Sequence, residues 1–485
     1  MLLSLTQQVV LVPVFLWYWS SETLAAWLTI FSAGNLVLIA DGGIHIWSLN
    51  RFLSFKVLDD CDRRTSRYYA TALRLYLWLM ILVVVLLLLT FQFLHPSKAL
   101  GFSDHPDFDL AFILMAVGMA STLPVNIAGA LYRARGLYGR IVGIQCWGLA
   151  LAQVGELAAI ITNGSVLAVT AAYLIGQIVT VVYILAIDMR RAFPFVRPRY
   201  GRLSLRWTFG QLRGALPFGV MNLTELALTY APVLLVSAFV SDRVLIAQWG
   251  LTRTIASLLR GLSLQMTLPL AAELGHDQAT GMKENLASLY ARGSLFIALF
   301  ASAVTSAAII FWPDFFALWT HGTIPFDPVL TYTLLIGSCV AAPSILALSY
   351  ANYSNRGVLL LWTKSLQLAI FLMLSVTLIP RIGLLGAAIA VVSCDILAQW
   401  GILSSVIMRE TLKHPLRHVG LLVGIMIALL SIGTGLGAAI QYLLPGVGLF
   451  HFLIECVLWV IVMGAFAAPF LKRGFCSRLK VVTKH

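Results

Sequence analysis

The chain has 485 residues, of which 60% are hydrophobic and only 11% charged. Soluble domains carry about 25% charged residues, so no stretch reads as a soluble enzyme or a soluble binding module. The formal net charge of +13 raises nucleic-acid binding, but the placement of the basic residues along the chain points elsewhere.

Apolar runs of roughly 20 residues, the length that crosses a bilayer as a helix, recur from end to end. They fall at 2–19, 24–49, 73–94, 110–131, 141–161, 166–187, 214–240, 244–271, 293–312, 328–352, 359–379, 384–407, 418–443 and 449–471. The fold class is therefore all-α: a polytopic membrane protein with about 14 transmembrane helices. With the N-terminus inside, the outside loops hold only Lys98, Arg243 and Arg381 of the 33 lysines and arginines. Arg253 and Arg260 lie within a span, and the rest fall to inside segments. That is the positive-inside distribution, with both termini cytoplasmic. The basic excess is a topology signal with some attraction to anionic lipid; no nucleic-acid partner is expected.

The first span begins at Met1, lacks a basic n-region and is followed at once by another span, so it reads as a membrane helix rather than a cleaved signal; Pro13 is expected to kink it. A tight outside turn at Ser20–Thr23 leads into the second span. There Asp41 is followed by Gly42, Gly43 and His45, and Asp41 and His45 share one face as i,i+4 neighbours. Two readings stand: a proton- or cation-responsive site in the inner half of the membrane, or side chains that snorkel to cytoplasmic water while the glycines allow close packing.

The inside loop 50–72 holds Asp59, Asp60 and Asp62, and the outside loop 95–109 holds Asp104, Asp107 and Asp109; both groups read as solvated, with no metal or other cofactor. The fourth span contains Pro124 and Asn126 and exits at Tyr132-Arg133-Ala134-Arg135-Gly136. Glu156, near the outer end of the fifth span, is expected to reach the interface. Residues 188–213, with seven arginines from Arg190 to Arg213 and Pro194 and Pro198, form a basic linker with an amphipathic surface segment.

The seventh span holds Glu225 near mid-depth with Asn222 one turn back. The eighth carries Arg253 and Arg260, seven residues apart and so on one face, about 10 Å from each other. Arginine at bilayer depth survives only by facing protein, water or a counter-charge, and guanidinium is the side chain best matched to phosphate. These two residues, with Glu225 and Asn222, are the candidate substrate site, lining a cavity that carries something anionic. Glu225 is expected to pair with Arg253 or Arg260, as a fixed ion pair or as a gate. Asp395 in the twelfth span reads as an isolated acid and joins Asp41 and His45 as an ion-coupling candidate; Glu455 and His451 are placed near the outer surface. The run Gly433-Thr434-Gly435-Leu436-Gly437 suits close helix contact. The six cysteines are scattered, with no CxxC pair, which argues against disulfides or zinc.

Six spans separate the second helix from the eighth. Trp27 aligns with Trp249, Asp41 falls opposite Ser263, and Pro124 to Arg135-Gly136 matches Pro343 to Arg356-Gly357. This weak repeat relates two six-span halves by an axis along the membrane normal, with a site between them. The expected organisation is an N-terminal lobe 1–187, the linker 188–213, a C-terminal lobe 214–407, two further helices over 408–471, and a basic tail 472–485.

Several stretches resemble the polysaccharide transporter, or O-antigen flippase, branch of the multidrug/oligosaccharidyl-lipid/polysaccharide (MOP) exporter superfamily. They are Pro13 followed by Tyr18-Trp19-Ser20-Ser21-Glu22 and Trp27; Asp41-Gly42-Gly43, where the family shows Asp, an apolar residue and Gly; and Ile379-Pro380-Arg381-Ile382-Gly383-Leu384-Leu385-Gly386-Ala387-Ala388-Ile389-Ala390, similar to the family's outside turn entering a helix. The resemblance implies two six-helix lobes in a V around a central cavity plus two C-terminal helices, alternating between inward- and outward-open states. It implies a polyprenyl-pyrophosphate-linked oligosaccharide as substrate, flipped in the bacterial cytoplasmic (inner) membrane for surface polysaccharide or O-antigen synthesis, with the bilayer and a polysaccharide polymerase machinery as partners. It also places Arg253 and Arg260 where the pyrophosphate or acidic sugars would lie. A lipid II flippase shares the span count and the anionic substrate. A drug or metabolite antiporter fits less well, because such proteins have twelve spans and acidic cavities. A membrane glycosyl polymerase or ligase, an enzyme, needs a larger outside loop than the roughly 15 residues available here; the chain reads as a transporter, not an enzyme.

Overall fold

The computed structural model describes residues 10–56, 63–196, 204–354, 356–444 and 448–471. The start of the first span, the acidic residues Asp59, Asp60 and Asp62, Pro198 within the linker, and the basic tail lie outside these. The helices are α1 Leu11–Tyr18, α2 Ser21–Leu36, α3 Ile44–Lys56, α4 Arg64–Phe93, α5 Pro96–Ala99, α6 Phe108–Ser121, α7 Val125–Ala134, α8 Tyr138–Thr162, α9 Val166–Val182, α10 Met189–Ala192, α11 Leu205–Phe239, α12 Arg243–Thr280, α13 Lys283–Trp319, α14 Pro328–Tyr353, α15 Gly357–Ile382, α16 Leu384–Cys394, α17 Ser405–Thr411, α18 Pro415–Leu443 and α19 Leu449–Leu471.

Among the described residues, twelve helices are long and apolar enough to cross a membrane. They match the second to thirteenth predicted spans; the first and fourteenth correspond to α1 and α19. The chain is a multi-pass helical membrane protein. Several spans are broken helices. A 3₁₀ turn, Val37–Asp41, continues α2, and π-helical turns continue α9 over Tyr183–Asp188 and α16 over Asp395–Ser404. The chain divides into two compact units, Met1–Ala247 and Gln248–His485.

Local chemistry sets the breaks. Ser20 caps α2, its hydroxyl accepting from the Thr23 amide at 3.2 Å, which makes the expected tight turn. Gly42 and Gly43 both have positive φ and separate the 3₁₀ turn from α3. A Cβ at Gly43 would sit 2.7 Å from the Gly219 Cα, and one at Gly219 would sit 2.5 Å from the Gly42 carbonyl oxygen. The glycines thus bring the second span against α11 backbone to backbone. Gly383, at φ +59°, ends α15, and a Cβ on Gly386 would lie 2.6 Å from the Leu378 carbonyl carbon; the two glycines of the Pro380–Ala390 stretch make the turn and the helix crossing after it. The aligned prolines differ in effect: the fourth span breaks at Thr122–Pro124 before α7, whereas Pro343 lies inside an unbroken α14.

In the second unit α18 packs closely on α13. A Cβ on Gly433 would press on Ser306, and the Trp459 indole donates to the Gly433 carbonyl at 3.0 Å, so the glycine run serves close helix contact. Asp109 is not simply solvated. It accepts from the Ser97 amide at 2.6 Å and the Ser97 hydroxyl at 3.0 Å, fixing the loop before it to the start of α6.

Candidate functional site

On α12 the residues Thr252, Thr254, Leu259 and Ser263 are buried, while Arg253, Ser257 and Arg260 are half-buried along one stripe. This is the face the seven-residue spacing predicts. Arg260 Nη1 donates to Asp395 Oδ2 at 2.6 Å, and the arginine side chain keeps 31% exposure. Asp395 is therefore not an isolated acid, and the partner it gives Arg260 is a carboxylate of the same unit.

The Asp395 carboxylate is the centre of a buried chain of polar groups. Its Oδ1 accepts from Gln367 Nε2 at 2.5 Å. Lys364 Nζ donates to Gln367 Oε1 at 2.8 Å and to Gln399 Oε1 at 2.7 Å, and Gln399 Nε2 donates to Ser344 Oγ at 2.8 Å. Lys364 and Gln367 share a face of α15 one turn apart. Asp395 and Gln399 stand four apart in the π-helical turn, whose larger number of residues per turn keeps them on one side. Ser344 lines a small cavity with Ser294, Tyr290, Trp400 and Ser404. Ser294 Oγ is in turn 2.8 Å from His418 Nε2 on α18.

Lys364 escapes a sequence reading. It lies five residues inside the predicted span 359–379, where a lysine normally snorkels back to the cytoplasmic surface, and so it counts with the inside charges. Here it is 1% exposed. The available signal is its spacing: Lys364 and Gln367 are i,i+3 on an otherwise apolar helix, as Asp395 and Gln399 are i,i+4 on another.

The first unit holds a second polar cluster. Asp41 is 1% exposed. Its Oδ1 accepts from the Tyr76 hydroxyl at 2.6 Å and from Asn126 Nδ2 at 3.1 Å, and its Oδ2 meets His45 Nδ1 at 2.5 Å. The carboxylate is held by donors from α3, α4 and α7 and does not snorkel. The His45 side chain retains 25% exposure, so it joins a buried acid to a more accessible edge. Elsewhere in the same unit, Trp47 Nε1 and the Tyr68 hydroxyl both donate to Gln211 Oε1, at 2.8 and 3.1 Å. Arg140 grips Asp188 through two nitrogens at 2.7 and 3.1 Å, with the Tyr132 hydroxyl on the same carboxylate.

Glu225 and Asn222 are half-buried on α11. Glu156 does not reach the interface: it is 0% exposed, and neither carboxylate oxygen has a hydrogen-bond partner among the described residues. Close approach of α8 and α9 at Gly176, where a Cβ would lie 2.7 Å from the Ala152 Cα, encloses this face. Glu455 pairs with His451 Nε2 at 3.1 Å and is buried.

No family model matches the chain, and no curated protein matches it. Solved structures do. An inward-facing multidrug resistance MATE family transporter of the MOP superfamily superposes with a TM-score of 0.67 at 15% identity, over 85% of this chain and 94% of that one. The lipid II flippase MurJ, in an inward closed conformation, gives 0.67 at 12% identity over 95% and 98%. A MOP superfamily transporter from Pyrococcus furiosus, described as having a binding pocket of reverse polarity, gives 0.52 at 14% identity over 82% and 90%. The chain has the fold of the MOP-superfamily transporters.

Proposed function

We propose that the chain is a flippase that carries a polyprenyl-pyrophosphate-linked oligosaccharide across the bacterial cytoplasmic membrane by alternating access, for surface polysaccharide synthesis. The observation that supports this most directly is the pair Arg253 and Arg260, half-buried on one stripe of α12 within a membrane span. Two guanidiniums in that setting suit a pyrophosphate, whose charge and paired oxygens match their planar, bidentate donors. They suit a cationic drug poorly, which weighs against multidrug export despite the shared fold. The lipid II reading shares the anionic substrate, and coverage of nearly the whole of MurJ favours keeping it as the second reading. Asp41 and His45 are the groups we assign to ion coupling: a carboxylate buried in the membrane beside a partly exposed imidazole is placed to exchange a proton or a cation with one side.

Deleting the gene in its own host tests the reading. Loss of surface polymer, with complete undecaprenyl-linked repeat units trapped at the inner leaflet, supports flipping. Repeat units that reach the outside without polymerising would point to an enzyme, and unchanged surface sugar to lipid II or drug export. In the complemented strain, Arg253→Gln and Arg260→Gln are each expected to lower transport about 10- to 100-fold at normal expression, the loss of a hydrogen bond to a charged group. Wild-type transport in both variants would overturn the assignment. In proteoliposomes, Asp41→Asn is expected to abolish the response of transport to an imposed proton or sodium gradient, with the purified protein still monodisperse. A retained response removes Asp41 from coupling.

A further inference from the structure

Lysine is a donor only, with three hydrogens on its ammonium and no lone pair. Lys364 places that ammonium 2.8 Å from one side-chain amide of Gln367 and 2.7 Å from that of Gln399. Both amides must therefore turn their carbonyl oxygens toward it. This chemistry fixes two orientations that are otherwise interchangeable. With its oxygen committed, Gln367 can offer Asp395 only its NH₂, and does so at 2.5 Å; Gln399 can offer Ser344 only its NH₂, and does so at 2.8 Å. An amide in the opposite orientation would aim an oxygen at the Asp395 carboxylate and repel it. The position of Asp395 Oδ2, on which Arg260 Nη1 rests at 2.6 Å, thus depends on an ammonium two hydrogen bonds away.

We propose that Lys364 is a positioning residue for Arg260. It acts through Gln367 and Asp395 to hold the guanidinium in the orientation that receives an anionic head group. The inference rests on the reading of Arg260 as an anion contact. Lys364 itself touches no substrate in this scheme. The buried ammonium makes the carboxylate a fixed rest for the guanidinium, so that an arriving pyrophosphate finds Arg260 aligned rather than searching among rotamers. Burial of a lysine at this depth is costly unless its donors are met, and here it meets two neutral oxygens whose orientation it controls.

The test is a double-mutant cycle on the full chain in proteoliposomes, with a fluorescent undecaprenyl-pyrophosphate-linked disaccharide as probe and initial rates measured over a range of probe densities. Lys364→Met keeps the length and removes the donors. It is expected to raise the half-saturating probe density about tenfold, the size of one lost charge-assisted hydrogen bond, with the maximal rate nearly unchanged. Gln367→Leu, which leaves Lys364 in place and cuts the link to Asp395, is expected to show the same split. In an Arg260→Gln background neither substitution should have any further effect, because the residue they position is gone. Effects that multiply with Arg260→Gln, a fall in maximal rate alone, or failure of both variants to fold would make the chain of residues a packing element and overturn the proposal. If Arg260→Gln leaves transport intact, the anion-contact reading falls first, and the two failures are told apart by that single variant.

Discussion

Asp395→Ala is expected to lower the stability of the protein by about 3 kcal/mol, near the bottom of the range for breaking a buried ion pair. The carboxylate is almost wholly buried and accepts from both Arg260 and Gln367. Its removal takes the acceptor from one guanidinium N–H and one amide N–H inside a membrane protein, where each unmet donor costs free energy. Arg260 keeps about a third of its side-chain exposure, and that access to polar surroundings holds the cost at the lower end. The paired replacement Arg260→Met with Asp395→Leu should recover most of the loss, because exchanging both partners for apolar side chains leaves no uncompensated charge. Thermal unfolding in detergent checks this: a large drop for Asp395→Ala and a small one for the double variant. Transport should fall in both by about the 10- to 100-fold expected of Arg260→Gln, since neither retains a positioned guanidinium. A double variant as unstable as the single one would mean that packing, not charge, is what Asp395 contributes.

Gly43→Ala should be the most disruptive single-methyl change in the first unit. Its φ of +73° is a region that costs a side chain about 1–2 kcal/mol. The added Cβ would also meet the Gly219 backbone, 2.7 Å from its Cα, and backbone cannot rotate away; overpacking of this kind adds about 1–3 kcal/mol. Two neighbours separate the terms. Gly42→Ala shares the positive φ, but its Cβ would come no nearer than 3.9 Å to any group, so it carries the conformational cost alone. Gly219→Ala has ordinary helical backbone but meets the Gly42 carbonyl oxygen at 2.5 Å, so it carries the steric cost alone. Membrane expression and melting temperature should rank Gly43→Ala below both. Because Asp41 and His45 flank the glycine pair, Gly43→Ala should also disturb any ion response, which Gly219→Ala should leave nearer to normal.

The helices were legible because the signal for a membrane span is local: twenty apolar residues declare themselves whatever else the chain does. The stripe of Arg253 and Arg260 was legible for the same reason, since seven residues on one helix fix a shared face. The partner of Arg260 was not. Asp395 lies 135 positions from Arg260, and no periodicity connects them, so the acid reads as isolated. Asp41 with His45 was visible as an i,i+4 pair, but the Tyr76 hydroxyl that completes the cluster comes from 35 residues away. Lys364 was hidden by a rule that holds in general: a lysine near the end of a span can usually reach water. Glu156 was misplaced in the same way, because depth along a helix says nothing about which face is covered.

The π-helical turns carry one further consequence. One lies at Tyr183–Asp188 in the sixth span and the other at Asp395–Ser404 in the twelfth, each with an ion-paired aspartate at one end. Such a turn holds more residues than an α-turn of the same height. A one-residue deletion inside such a turn would let it close toward regular α geometry with the flanking stretches kept nearly in phase, whereas the same deletion in regular α-helix turns everything beyond it by about 100°. Asp395 and Gln399 would shift relative to each other, although no side chain had been substituted and the helix beyond the turn kept its faces. At these two places a one-residue deletion should be better tolerated by the fold than in the regular helical stretches on either side, at the expense of the polar contacts made from the turn.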